Sequence, residues 1–363
     1  MKIAVIGTRG IPNIQGGVET HCEELYPRLA AMGFDITLMR RSCYVGDKLT
    51  EYKGVKLIDI YAPRKKSIEA IIHTTLAVIK ARRLGVDAVH CHAIGPSIVI
   101  PLARLLGLKV VMTHHGPDYD RKKWGRMAKC VLKTGERWGV KNANRVIVIS
   151  DVINGIIKRE YHRDDASLIF NGVNKPTKST ATDYVTSLGL KPGRYIVALG
   201  RFVAEKGFHD LINAFGQSKA SELGYKLVIA GDADHEDEYS SALKRQAHDT
   251  DTVLTGFIKG ERLNQLMSHA ALFVLPSYHE GLPIALLEAM SYNLDVIVSD
   301  IPANTIDELQ PSDFFKTGDV DSLAAAINAK LSNGNTATPR QYDLSRYSWD
   351  TIAAQVADVY RSL

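Results

Sequence analysis

Tyr195-Ile196-Val197-Ala198-Leu199-Gly200-Arg201-Phe202-Val203-Ala204-Glu205-Lys206-Gly207 is an unbroken apolar run that stops at a glycine and opens into a loop carrying two cations. A short apolar run without polar alternation predicts a strand buried on both faces, as in a parallel sheet. A helical pattern near 207–220 follows it. The same unit recurs downstream, with strands expected at 226–230, 252–255, 272–275 and 295–299. Helices near 236–248, 261–270, 283–292 and 319–332 connect them. Upstream lies a complete earlier series, with strands expected at 2–7, 35–39, 55–60, 87–92, 109–114, 145–150 and 168–171. Helices between them include 17–32 and 67–84. Two successive strand–helix series predict an α/β protein with two doubly wound, Rossmann-like domains. A polar stretch at 174–186, with a proline and several Ser and Thr, sets the boundary. The predicted division is 1–176, 177–345 and a final amphipathic helix in 346–363 that returns towards the first domain. Two such domains are expected to face each other across a cleft, with ligands at the carboxyl ends of the strands.

The bulk numbers narrow the function classes. The chain has 363 residues, 45% hydrophobic and 23% charged, an ordinary globular balance. No apolar run approaches the roughly 20 residues that span a bilayer. The run at 2–6 is too short for a signal peptide, so a cytoplasmic location is expected. Cys22, Cys43, Cys91 and Cys130 are scattered and form no C-x-x-C pair, which argues against a disulfide framework or a zinc site. The net charge of +5 conceals an asymmetry. Residues 1–178 hold 30 Lys and Arg against 16 Asp and Glu, and 179–363 hold 15 against 24. A basic half beside an acidic half suggests that one half meets an anionic surface.

Two segments carry chemistry. In Ser277-Tyr278-His279-Glu280-Gly281-Leu282-Pro283-Ile284-Ala285-Leu286-Leu287-Glu288 a strand gives way to a loop, and a helix is expected to start with Pro283 at its first position. The free N–H groups of that first turn favour an anion. Glu280 before the turn and Glu288 inside the helix accept hydrogen bonds from hydroxyls. A ligand with hydroxyls on both sides of a phosphate, such as a nucleotide sugar, fits this arrangement. In the segment 200–207, Arg201 and Lys206 could hold a diphosphate leaving group. No Asp-x-Asp pair stands at a strand end to supply a metal; Asp232 and Asp234 have that spacing but begin an acidic stretch.

The Glu280-x7-Glu288 spacing, the Gly200-Arg201…Glu205-Lys206-Gly207 segment and the Gly16-Gly17 loop together resemble the retaining glycosyltransferases of family 4, which have the GT-B fold. Thr113-His114-His115-Gly116 and Asn171-Gly172-Val173 are similar to motifs of that family, and the likeness spans nearly the whole chain. The resemblance implies a nucleotide-sugar donor, a saccharide or lipid-linked acceptor, retention of anomeric configuration and no required metal or cofactor. It implies that Glu280 contacts the donor sugar, Glu288 the ribose diol, and Arg201 and Lys206 the diphosphate. Backbone N–H groups near Leu282 would add to that cradle, in a donor-binding turn of Gly281, Leu282 and Pro283. Gly16 and Gly17 would let the first loop approach the donor. A histidine, His115 or its neighbour His114, would support the oxocarbenium-like state, and His115, next to Gly116, is the choice. One departure is Asn293-Leu294-Asp295, where the family often has a glycine before the strand.

Three further readings follow from the residues. His90-Cys91-His92 places two histidines on one strand face, but no second pair is near in sequence and no metal site is expected. Residues 121–145 hold nine basic residues and one acid, with Trp124, Met127, Val131 and Trp138 at roughly helical spacing. With Arg64-Lys65-Lys66 they suggest peripheral contact with the inner face of a membrane. They lack a nucleic-acid fold signature, so no nucleic-acid partner is expected. The competing readings are an NADP-dependent oxidoreductase, with Arg40-Arg41 for a 2′-phosphate, and a sugar-nucleotide-binding protein that has lost its activity. Against the oxidoreductase, the G-x-G-x-x-G spacing is absent.

Overall fold

The computed structural model describes residues 1–64, 68–120, 125–331 and 340–363. The chain forms two compact units, one of Met1–Gly172 with Arg346–Leu363 and one of Val173–Ser345.

The first unit holds strands β1 (Lys2–Ile6), β2 (Asp35–Arg41), β3 (Glu51–Tyr52), β4 (Val55–Ile60), β5 (Ala88–His92), β6 (Lys109–His114), β7 (Arg145–Val148) and β8 (Ser167–Leu168). They form one sheet in the order β3-β4-β2-β1-β5-β6-β7-β8. Every pairing is parallel except β3 with β4, a two-residue antiparallel edge that sequence periodicity is too short to reveal. Its helices are α1 (Gly17–Ala31), α2 (Glu69–Leu84), α3 (Ile100–Leu105), α4 (Arg126–Asn142) and α5 (Asp151–Tyr161). The second unit opens with α6 (Asp183–Ser187) and holds strands β9 (Tyr195–Leu199), β10 (Lys226–Ala230), β11 (Val253–Leu254), β12 (Leu272–Leu275), β13 (Asp295–Ser299) and β14 (Phe314–Phe315). They form an all-parallel sheet in the order β11-β10-β9-β12-β13-β14. Its further helices are α7 (Phe208–Gln217), α8 (Glu238–Asp249), α9 (Gly260–Ser268), α10 (Ile284–Ser291) and α11 (Val320–Leu331).

The central strands β1, β5, β9 and β12 are buried along nearly their whole length, as their unbroken apolar runs require. The last helix, α12 (Trp349–Arg361), belongs to the first unit and packs on α1. Its Trp349, Ile352, Ala353, Val356 and Tyr360 join Cys22, Leu25 and Leu29 of α1 in one apolar cluster. The stripe at 349, 352, 353, 356 and 360 is the helical spacing that buries one face. Asn293, at the departure from the family pattern, adopts a left-handed backbone with φ 55°. Asparagine tolerates that left-handed conformation, which glycine also adopts.

Trp349 is 2% exposed within that cluster. Trp349→Ala is expected to lower the stability of the first unit by about 3–5 kcal/mol. Urea unfolding should show an earlier transition for that unit and an unmoved transition for the second.

Candidate active site

In the second sheet, β9 and β12 are neighbours from which the strand order departs in opposite directions, towards β10 on one side and β13 on the other. Such a switch point leaves a crevice at the carboxyl ends of the two strands. The loops that enter it are 200–207 and 276–283. They are fastened together: the Tyr278 N–H donates to the Glu205 carbonyl at 2.8 Å. Gly207 has φ +65°, and a Cβ there would fall 2.2 Å from the Pro276 carbonyl oxygen, so only glycine lets the loops come this close.

This fastening brings Lys206 and Glu280, 74 residues apart, to an ion pair with Nζ 2.6 Å from Oε1. Both side chains are mostly buried, at 19% and 11% exposure. Arg201 reaches Asp234 Oδ2 at 2.7 Å. Asp232 accepts from Lys244 at 3.1 Å, so the Asp232/Asp234 pair is engaged by cations on both members. Pro283 stands one residue before α10, in the capping position with ψ 111°, and not at the first helical position. Its carbonyl accepts from the Leu286 and Leu287 N–H groups at 3.1 and 3.4 Å. Gly281 and Leu282 fill the turn before it, with the Leu282 side chain buried. Glu288 lies four residues into the helix, a rise of about 6 Å. Nearby, the Gly231 N–H donates to the Gly256 carbonyl at 2.9 Å just after β10, and Phe257, the next residue, is partly exposed.

In the first unit, Gly16 caps α1 with φ +148°. A Cβ at that position would sit 2.1 Å from Glu19 Oε2. Buried Glu19 braces the loop by accepting from the Thr8 hydroxyl at 3.2 Å and the Arg9 N–H at 3.1 Å, and it pairs with the Arg9 guanidinium at 3.2 Å. At Gly17 a Cβ would meet nothing within 4 Å.

The adjacent histidines take different partners. His114 is fully buried against α4, with Nε2 2.7 Å from Glu136 Oε1, and its Nδ1 accepts from the Gly116 N–H at 3.1 Å. His115 is partly exposed and its Nε2 lies 2.8 Å from His92 Nδ1. His92 Nε2 meets the Tyr26 hydroxyl, which is also 3.1 Å from His90 Nδ1. His90 Nδ1 is 2.6 Å from the Tyr360 hydroxyl and its Nε2 is 2.7 Å from Thr113 Oγ1. The His90 and His92 rings stack with centroids 4.4 Å apart. His21, from α1, closes on the same group, with its ring centroid 5.0 Å from that of His115 and 5.5 Å from that of His92. Its Nδ1 is 3.0 Å from Asn171 Oδ1. Sequence reasoning missed His21 and gave Asn171 no role. The one available signal was a histidine in the buried stripe of α1 formed by Cys22, Leu25, Tyr26 and Leu29.

Arg40 and Arg41 do not face a ligand. Arg40 is fully buried, with carboxylates of Asp47 and Asp59 at 2.8 and 2.7 Å, and Arg41 pairs with Glu69 at 2.6 Å. Both are occupied by the protein's own acids, which removes the support for a 2′-phosphate site. On α4 the buried face is Gly135, Glu136, Gly139 and Val140. Met127 and Trp138 are 83% and 44% exposed, so they form no core-facing stripe. Trp124, Lys65 and Lys66 lie outside the described residues. Among the described residues no helix is long and apolar enough to cross a membrane.

Known proteins share both halves. Residues 15–175 match the family described as Glycosyltransferase Family 4, and residues 182–347 match Glycosyl transferases group 1. An alpha-maltose-1-phosphate synthase of Mycobacterium tuberculosis is 27% identical over the full length of both chains. A GDP-mannose:cellobiosyl-diphosphopolyprenol alpha-mannosyltransferase of Xanthomonas campestris is 26% identical over 76% of this chain and 74% of its own. Among solved structures, a sucrose-phosphate synthase from Thermosynechococcus elongatus superposes with a TM-score of 0.81 at 22% identity, covering 99% of this chain and 98% of its own. Anabaena HepE in complex with UDP-glucose superposes with a TM-score of 0.81 at 19% identity over the whole of both chains.

Burial pushes the His21 ring down to about 4, against a smaller opposing effect of Asn171, and burial beside His21 takes His90 to about 3. Both rings are therefore neutral in the fold and charged in the unfolded chain below about pH 6.5. Their contribution to stability is complete above that value and is lost as pH falls towards 4. Each ring adds a slope of about 1.4 kcal/mol per pH unit over that window. Urea titrations of the first unit at pH 7, 6 and 5 should show this decline, and a flat profile would mean that the rings are hydrated.

Proposed function

The chain belongs to glycosyltransferase family 4, with the GT-B fold, and from that premise we propose that it is a retaining, metal-independent enzyme that moves a sugar from a nucleoside-diphosphate sugar to a saccharide or lipid-linked acceptor. The observation that carries this reading is the Lys206–Glu280 pair at the β9/β12 switch point. A cation and a carboxylate held 2.6 Å apart are the two functions that a diphosphate sugar needs side by side. On binding, the diphosphate draws the Lys206 ammonium and the Arg201 guanidinium, and each leaves its carboxylate partner for a stronger anion. Glu280 is then available to accept hydrogen bonds from the sugar hydroxyls. The N–H groups of Ile284 and Ala285, in the first turn of α10, add to the phosphate cradle. Glu288, one turn further on, takes the ribose diol, and the Phe257 ring offers a face to the base.

As the glycosidic bond breaks, charge grows on the leaving diphosphate. Lys206 and Arg201 stabilise it without an added metal. His115 supports the positive charge that develops at the anomeric carbon, and the Gly16-Gly17 turn lets main chain approach the reactants. The HepE complex with UDP-glucose and the polyprenol-linked acceptor in the name of the Xanthomonas relative support this donor and acceptor chemistry. In the acceptor half, Leu105 on α3 is 84% exposed, and α3 packs beside α4 with its exposed Met127 and Trp138. Apolar side chains protruding from a basic surface suit the headgroup region of an anionic leaflet. This favours a cytoplasmic protein that works at the inner face of the membrane, in cell-surface polysaccharide or glycolipid synthesis.

Lys206→Ala and Glu280→Ala should each reduce turnover by about 10²-fold or more while circular dichroism stays unchanged. Product anomers read by NMR should keep the donor's configuration, and chelation should not lower the rate. Near-normal activity in both variants would refute the site. Vesicles containing anionic lipid should float the protein at low salt and release it at high salt, and Met127→Ser with Trp138→Ser should weaken flotation. Equal binding to neutral vesicles would sink the membrane assignment.

A further inference from the structure

Three histidines from three separate elements converge in the first unit: His21 of α1, His92 at the end of β5 and His115 after β6. One ring nitrogen from each lies within 4.8 Å of the other two. We propose that they form a binding site for a borderline divalent transition-metal ion of the zinc type, and that its occupancy switches off the enzyme by engaging His115.

The donor set is that of a three-histidine zinc site, which leaves a fourth position open. Two of the three ligands, His21 and His92, are prepared by a partner on the far side. Asn171 Oδ1 accepts from His21 Nδ1–H, which fixes the tautomer and leaves the Nε2 lone pair facing inward. Among the described residues that Nε2 has no hydrogen-bond partner, although the side chain is 2% exposed. A buried acceptor without a donor is costly, and a metal ion would satisfy it. His92 Nε2 is engaged by the Tyr26 hydroxyl, which directs Nδ1 towards His115. Between His92 Nδ1 and His115 Nε2, 2.8 Å apart, one hydrogen is shared. A tetrahedral ion with bonds near 2.0–2.1 Å needs its ligand nitrogens about 3.3 Å apart. The His92–His115 pair need open only by a few tenths of an ångström, while His21 closes from the other side. With His92 Nε2–H donating to the Tyr26 hydroxyl oxygen, the shared hydrogen is the one on His115 Nε2; the ion takes its place and His115 becomes the Nδ1–H tautomer.

Access is through His115, the one partly exposed member of the three. The chemistry favours nitrogen-preferring ions over Mg²⁺ or Ca²⁺, since no oxygen donor belongs to the set. Binding stands on the geometry alone; inhibition rests on the role of His115 proposed above. The ion is thus an inhibitor, and the enzyme's own reaction needs no metal.

The test uses the tag-free full chain and Co²⁺ as a spectroscopic probe. One equivalent should produce the intense visible bands of a four- or five-coordinate nitrogen site, and Zn²⁺ should abolish them by competition. His21→Phe and His92→Phe should lose the bands, whereas His248→Gln, a surface histidine, should keep them. Co²⁺ remaining octahedral with the wild-type protein would overturn the site without reliance on any variant. Bands that persist in both folded phenylalanine variants would overturn it as well. In the transfer assay, one equivalent of Zn²⁺ should reduce the wild-type rate at least tenfold, reversibly on chelation. Full activity with the site spectroscopically occupied would overturn the inhibitory role. Co²⁺ bands in a protein that yields no glycosyl product would support the site and count against the transferase reading alone.

Discussion

Parallel strands buried on both faces leave a chain one kind of place for polar chemistry, the loops beyond the strand ends. That constraint organises this protein. In the second sheet the apolar runs of β9 and β12 fill the interior, and the cations and carboxylates appear only after Leu199 and Leu275. The backbone bond between Tyr278 and Glu205 then converts two loops into one surface. Lys206 and Glu280 meet because the main chain beneath them is already joined, so holding the pair costs little additional side-chain freedom.

Much of this was legible in the sequence, and the reason is periodicity. Runs such as 195–199 and 295–299 have no alternative reading as half-exposed strands, and their boundaries follow from the glycine and polar residues that end them. Arg201, Lys206, Glu280 and Glu288 stand out because they interrupt this pattern just beyond the strands or in the helix that follows. Two short pairings were not legible. β3 and β14 have two residues each and exist because a neighbouring strand offers its edge, whereas the equally short β8 and β11 overlap longer stretches that were expected as strands. Pro283 shows a different limit. A proline before a helix fits the cap or the first turn equally well by composition, and its ψ of 111° decides for the cap.

The histidine group was illegible for a third reason. His21, His92 and His115 belong to a helix, a strand end and a loop, and no spacing rule relates them. In the sequence His90 and His92 stand out as strand neighbours and His115 as a residue beside Gly116, but nothing there joins His92 to His115 or either to His21. In the fold, His90 turns to Thr113 and Tyr360, while His92 turns to Tyr26 and His115. The sheet order β1-β5-β6 aligns these residues, and sheet order is a long-range property.

The return of α12 to the first unit has a consequence for the order of synthesis. The segment Val173–Ser345 is, topologically, an insertion between two parts of one body. A chain emerging from the ribosome completes all the strands of the second sheet before Trp349 and Tyr360 exist. The inserted unit can therefore finish folding while the body that precedes it still lacks part of its core. Until residues 346–363 are made, the α1 surface that they cover stays open to water, to chaperones and to other nascent chains.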